Sequence, residues 1–124
     1  MKSKIFLVVR LLFAIILLVF GINKFVEFLP PFELEGSALN YFTALAESKT
    51  LDLVGVVETV AGLSLLLNKY GALWAVIMMS VSVNAVLFHA TLDPVNIGPA
   101  LGLLILNIVV LVGYKDRYKD LLRA

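Results

Sequence analysis

The chain has 124 residues, of which 61% are hydrophobic and 15% charged, with ten Lys and Arg against nine Asp and Glu. A soluble domain carries about 45–50% apolar and about 25% charged residues, so too few polar side chains are present to cover a water-exposed surface of this size. The net charge of +1 says nothing about nucleic acid, and the scattered charges form no basic stripe that suggests a groove for it; the absence of cysteine excludes disulfides, thiol relays and thiolate metal ligands.

Bilayer crossing needs about 20 mostly apolar residues in helical form. Residues 5–22 meet that requirement with Arg10 as their only charge. Lys2 and Lys4 give this stretch the basic start of a secretory signal. It exceeds the usual ~7–15 apolar residues of such a signal, however, and its end at Phe20-Gly21-Ile22-Asn23-Lys24 lacks a small-x-small cleavage pattern. It is therefore read as an uncleaved first span. The connection from Asn23 to Thr50 is rich in Phe25, Phe28, Leu29, Phe32, Leu39, Tyr41, Phe42 and Leu45, and Pro30-Pro31 interrupts any helix there. Ala38, Leu39, Phe42 and Leu45 recur at helical spacing, which predicts a short amphipathic helix over residues 37–47 at the outer end of the bundle. Interfacial aromatic anchoring accounts for the same residues equally well.

The second span is expected at 51–67 with Glu58 inside it, the third at 72–89, and the fourth at 97–114. Pro99 falls in the first turn of the fourth, where its missing N–H costs nothing. The fold class is thus an all-α integral membrane four-helix bundle, a single domain over residues 1–124. Lys2, Lys4, Lys69, Lys115, Arg117, Lys119 and Arg123 fall on one side of these spans, while Lys24 and Lys49 lie on the other among Glu27, Glu33, Glu35 and Glu47. The positive-inside rule therefore puts both termini in the cytoplasm of a bacterial-type plasma membrane.

Ionisable groups inside the hydrocarbon cost at least ~2.5–3.5 kcal/mol on insertion scales, so they need partners and face the bundle interior. From the helical rise, Arg10 and Asn107 fall roughly 9 Å from the cytoplasmic edge, and Glu58 and Asn84 a similar depth from the outer one. Lys24 and His89 sit at the outer mouth. Arg10, Ala14, Leu17, Gly21 and Lys24 form one stripe of the first helix, and Gly55, Glu58 and Gly62 share a face of the second. Small residues allow close helix approach in lipid, so that face should point inward with Glu58. The glycines of the second and fourth spans are read as packing residues.

The candidate site is an outer polar cavity of Lys24, Glu58, Asn84 and His89. Against it stands a structural role: Glu58 and Asn84 tying two helices together, and His89 as an interfacial cap. Asn84 and His89 lie roughly 140° apart on a regular helix, which argues against one tight cluster. For Arg10 the competing reading is snorkelling to the headgroups. One His and one Glu on separate helices do not make a metal site, and no phosphate loop or nucleophile elbow is present.

The motifs taken together are similar to the DoxX family of small four-helix membrane proteins. The likeness covers nearly the whole chain. It rests on Phe20-Gly21-Ile22-Asn23-Lys24-Phe25 with Phe28-Leu29-Pro30, and on Tyr41-Phe42-Thr43-Ala44-Leu45 in the connection. It continues through Val54-Gly55-Val56-Val57-Glu58-Thr59-Val60-Ala61-Gly62 with Leu65-Leu66-Leu67, and Asn84-Ala85-Val86-Leu87-Phe88-His89 before Leu92-Asp93. The resemblance implies the same bundle and adds Asn23 to Lys24, Glu58, Asn84 and His89 as family-like polar positions. Some relatives are associated with quinone-linked sulfur oxidation, others with membrane redox or oxidative-stress assemblies. The expectation is an accessory subunit rather than a stand-alone enzyme. It would bind a quinone or lipid for a redox partner in the membrane, alone or as a homo-oligomer. The alternatives are a small-molecule transporter or permeability factor and a purely structural assembly protein.

Overall fold

The computed structural model describes residues 3–31 and 33–124. Lys2 of the basic flank and Phe32 of the connection lie outside them. Among the described residues there are five α-helices and no strand: α1 Ser3–Asn23, α2 Gly36–Glu47, α3 Thr50–Leu67, α4 Gly71–Leu92 and α5 Ile97–Gly113. Four segments are long and apolar enough to cross a membrane, namely α1, α3, α4 and Pro94–Gly113, the last being α5 with the single 3-10 turn Pro94–Asn96 ahead of it.

The four long helices form a ring in which α1 packs on α3 and α5, and α4 packs on the same two. One end of the ring carries the connection between α1 and α3; the other carries both termini. Residues at i, i+3 and i+4 spacing decide which side of α1 turns inward: Arg10, Phe13, Ala14, Leu17 and Gly21 are buried. Ile5, Val8, Leu12 and Ile15 on its opposite side are exposed, as are Leu53, Leu63, Leu73, Leu87, Ile105 and Ile108 on the other three helices. An apolar exterior around buried Arg10, Glu58, Ser82 and Asn107 inverts the usual soluble arrangement.

The α1–α3 contact is close because three glycines supply it. A Cβ on Gly62 would lie 2.8 Å from Leu18 Cγ and 3.0 Å from the Ala14 carbonyl; on Gly55, 2.9 Å from the Phe25 ring; on Gly21, 2.8 Å from the Thr59 backbone nitrogen. Gly55 and Gly62 therefore pack as expected. Gly98 and Gly102 do not: nothing lies within 4 Å of either Cβ position, because the side of α5 that carries them faces away from the ring.

The helix ends are set by local causes. α4 runs to Leu92 rather than residue 89, and stops where Asp93 precedes Pro94, since a residue before proline avoids the helical region. Tight turning between α3 and α4 is carried by Asn68 and Tyr70, with φ of 52° and 59°, a conformation Asn tolerates better than most residues. α2 begins at Gly36, whose φ of 58° suits glycine.

Asn107 on α5 holds its neighbour α4. Its Nδ2 donates to the Ala75 carbonyl at 3.0 Å, and its Oδ1 accepts from Ser82 Oγ at 2.7 Å, all fully buried. Arg10 does not extend out of the bundle: it is 8% exposed, and its Nη1 donates to the Leu65 carbonyl and, at 3.4 Å, to that of Leu66. The last carbonyls of a helix lack partners within it and carry the negative end of its dipole, so a guanidinium there stabilises the end of α3. Burial competes with snorkelling, and here a fixed carbonyl acceptor wins. Arg10 and Asn107 accordingly serve different helix pairs, α1–α3 and α4–α5.

Candidate functional site

Glu58 sits in the middle of the glycine face of α3, and close approach of α1 at Gly55 and Gly62 brings it inward, 3% exposed. Lys24, one residue past the end of α1, follows the buried stripe over the top and places its Nζ 2.5 Å from Glu58 Oε1. Its ammonium also lies 3.5 Å from the Phe20 carbonyl. Glu58 Oε1 is buried without an aligned hydrogen bond, so charge contact with Lys24 is what compensates it.

This pair stands at the wall of a cavity of about 410 Å³ at the end of the bundle that carries the connection. Four helices and the end of the first supply its lining. α3 contributes Val54, Val57 and Glu58; α4 contributes Ser80, Val81, Asn84, Ala85, Phe88 and His89; α5 adds Leu103. α2 closes one side with Tyr41, Phe42 and Leu45. Its two aromatics hold it there, with Tyr41 stacked on Phe88 at 5.1 Å and Phe42 edge-on to the same ring at 5.0 Å.

Of the five polar positions named from sequence, the structure brings Lys24, Glu58, Asn84 and His89 to this one cavity. The angular separation of Asn84 and His89 is real but does not keep them apart. Val81 and Phe88 fall between them on the helical wheel, and the cavity is broad enough to take in that whole side of α4. Asn84 makes no hydrogen bond to Glu58; the carboxylate has Lys24 instead. Asn23 stands apart from the group. Its Oδ1 accepts from the backbone N–H of Phe28 at 2.8 Å and of Leu29 at 2.9 Å, which closes the turn ahead of Pro30-Pro31.

Sequence reasoning missed Asp93. His89 Nδ1 lies 3.2 Å from Asp93 Oδ2, and Asn96 Nδ2 donates to both oxygens of the same carboxylate at 2.9 and 3.1 Å. The signal was the i, i+4 spacing of His89 and Asp93, hidden because helix α4 was expected to end at His89. A carboxylate on one ring nitrogen fixes the imidazole's orientation.

The arrangement offers one ammonium, one buried carboxylate, one carboxylate-oriented imidazole and one amide around an otherwise aliphatic and aromatic space. Such a site can hold an amphipathic molecule by its polar end. Groups of three or more His, Cys, Asp and Glu able to hold a metal ion do not occur among the described residues. In comparisons with known proteins, the chain matches no family model, no curated protein and no solved structure.

Proposed function

We propose that this protein is a DoxX-like multi-pass membrane protein that binds a small amphipathic molecule, a quinone or a lipid, in the cavity beside Glu58, as the accessory subunit of a membrane redox system. The observation that carries the reading is the convergence of Lys24, Glu58, Asn84 and His89 on one apolar-walled space of about 410 Å³. Small-molecule sites measure roughly 300–1,000 Å³ and pair an apolar lining with a few polar groups that fix orientation. On this reading α2 is the short amphipathic helix, resting at the interface with Leu39 outward and Phe42 inward. The charge asymmetry sets both termini in the cytoplasm and the cavity mouth at the opposite face.

Mass spectrometry of the molecules extracted from the purified protein tests this reading. Ala85 lines the cavity from α4 and is no member of the ion pair, so Ala85→Trp fills the space and leaves the Lys24 and Glu58 side chains unaltered. The expected result is a quinone or lipid retained by the wild type and lost from the variant at equal thermal stability. Equal retention by both proteins contradicts it. A purely structural role is favoured by one observation, the position of the Lys24–Glu58 pair on the same α1–α3 seam as Gly21 and Gly55. In that case Ala85→Trp leaves cell growth and partner assembly untouched.

A further inference from the structure

A second cavity, of about 300 Å³, lies at the opposite end of the bundle, where the start of α1 meets the end of α3. Ser3, Lys4, Phe6, Leu7, Arg10 and Asn68 line it. We propose that it binds a phosphate-class anion, in the first instance the phosphodiester headgroup of an anionic phospholipid in the adjoining leaflet.

The polar chemistry of the lining consists almost wholly of donors. No Asp or Glu contributes to it. Arg10 is fixed in place by Nη1, which the Leu65 and Leu66 carbonyls take. A guanidinium has five N–H donors in a rigid fork, and the remaining ones find no acceptor among the described residues although the side chain is 8% exposed. Asn68 is held in a complementary sense. Tyr114, itself buried and set edge-on against Phe6 at 4.9 Å, donates its hydroxyl to Asn68 Oδ1 at 2.7 Å. That bond occupies the amide's acceptor and leaves its two N–H donors for the cavity. Lys4 and the Ser3 hydroxyl complete the rim. A planar fork, an amide donor, a hydroxyl and a mobile ammonium match the oxygens of a phosphate, which accepts and does not donate. Phe6 and Leu7 provide the apolar wall that an acyl chain, and not a free ion, would use; Leu7 is exposed on the lipid-facing side.

Thermal shift of the detergent-purified full chain, read with added phosphatidylglycerol, with phosphatidylcholine and with inorganic phosphate, tests the proposal. A stabilisation by phosphatidylglycerol that phosphatidylcholine does not produce supports a lipid headgroup. The same stabilisation by inorganic phosphate supports a free anion at the same groups. Lys4→Gln should weaken the phosphatidylglycerol effect roughly fivefold in half-saturating concentration, as expected for one cation removed beside an anionic headgroup. Arg10→Lys keeps the charge but not the fork and should weaken it further; if that variant loses fold stability, Lys4→Gln alone carries the test. Lys115→Gln removes an exposed cation of the same end that does not line the cavity. An equal loss in Lys115→Gln and Lys4→Gln overturns the proposal, as does equal stabilisation of the wild type by phosphatidylcholine and phosphatidylglycerol, or no response to any of the three additions.

Discussion

Removing Lys24 should damage this protein more than removing the carboxylate it faces. Glu58 is 3% exposed and Lys24 is 24% exposed by side chain, so the two partners differ in what remains when the other is gone. Lys24→Met strands a buried carboxylate, and breaking a buried pair from one side costs about 3–5 kcal/mol. Glu58→Gln leaves an ammonium at the cavity rim that can turn toward water while keeping its approach to the Phe20 carbonyl, and the amide preserves the shape of the acid. That change should cost about 1 kcal/mol, near the net worth of one hydrogen bond. The double variant, with no charge at either position, should fall close to Glu58→Gln alone, giving a coupling energy of about 3–5 kcal/mol in a double-mutant cycle, the whole cost of Lys24→Met. Thermal unfolding of the four proteins in one detergent measures it, and the single Lys24→Met loss corresponds to a fall in Tm on the order of 10 °C. Equal costs for the two single variants, or strict additivity in the double, would show that the 2.5 Å contact does not compensate the buried acid and that the reasoning is wrong.

Other consequences follow from the packing and the terminal end. Gly62→Ala should destabilise by about 1–3 kcal/mol, because the new methyl meets the Ala14 carbonyl and Leu18 on a neighbouring helix. Gly102→Ala, with open space around it, should be neutral or stabilising; a thermal scan giving the two variants the same sign of effect would refute the close α1–α3 seam. Asn107→Leu removes two buried hydrogen bonds between α5 and α4. It should cost about 1–2 kcal/mol, as interhelical hydrogen bonds in membranes average ~0.6 and reach ~1.7 kcal/mol. Unchanged unfolding of Asn107→Leu would mean that apolar packing alone fixes that helix pair. Tyr118, beyond the last span, donates its hydroxyl to the Ala72 carbonyl at 2.8 Å. Burial, aided by Tyr114 and opposed by Arg117, pushes its phenol up to about 12. A phenol pKa raised by folding contributes stability that is complete below its unfolded value near 10 and is lost as pH rises through the folded value. Thermal stability should therefore decline between about pH 10 and pH 12, and Tyr118→Phe should flatten that decline; an unaltered alkaline profile in the variant would remove Tyr118 from the account.

The spans were legible in the sequence because lipid imposes one rule, long apolar stretches with all backbone groups bonded inside the helix. Their inward sides were legible too: Gly55, Glu58 and Gly62 read together, and Arg10, Ala14, Leu17 and Gly21 at i, i+3 and i+4 all turned out buried or tightly packed. What sequence periodicity does not carry is partner choice. Glu58 has Asn84 at the same depth on a neighbouring span, yet the acid pairs with Lys24, because the glycine seam brings α1 closest to α3. Arg10 and Asn107, expected at one depth from the helical rise, serve different helices, since depth is set by position along one helix and contact by the order of helices around the ring. Asp93 escaped notice because it lies past an expected helix end, and Asn23, named from the family likeness, has its Oδ1 taken by the backbone N–H groups of Phe28 and Leu29. Gly98 and Gly102 show the same limit from the other side: a small residue permits close packing without requiring it.

The central claim is that the Glu58 cavity binds an amphipathic small molecule and that Glu58 holds its polar end. It is tested most directly by quantifying, with mass spectrometry, the molecules that co-purify with the wild type and with Glu58→Gln at matched yield, both purified well below their unfolding temperatures. The account predicts one dominant quinone or lipid species on the wild type, and its loss or marked depletion on a variant that still folds. Undiminished retention of that species by folded Glu58→Gln would contradict it and leave Glu58 as the partner that Lys24 requires for packing α1 onto α3.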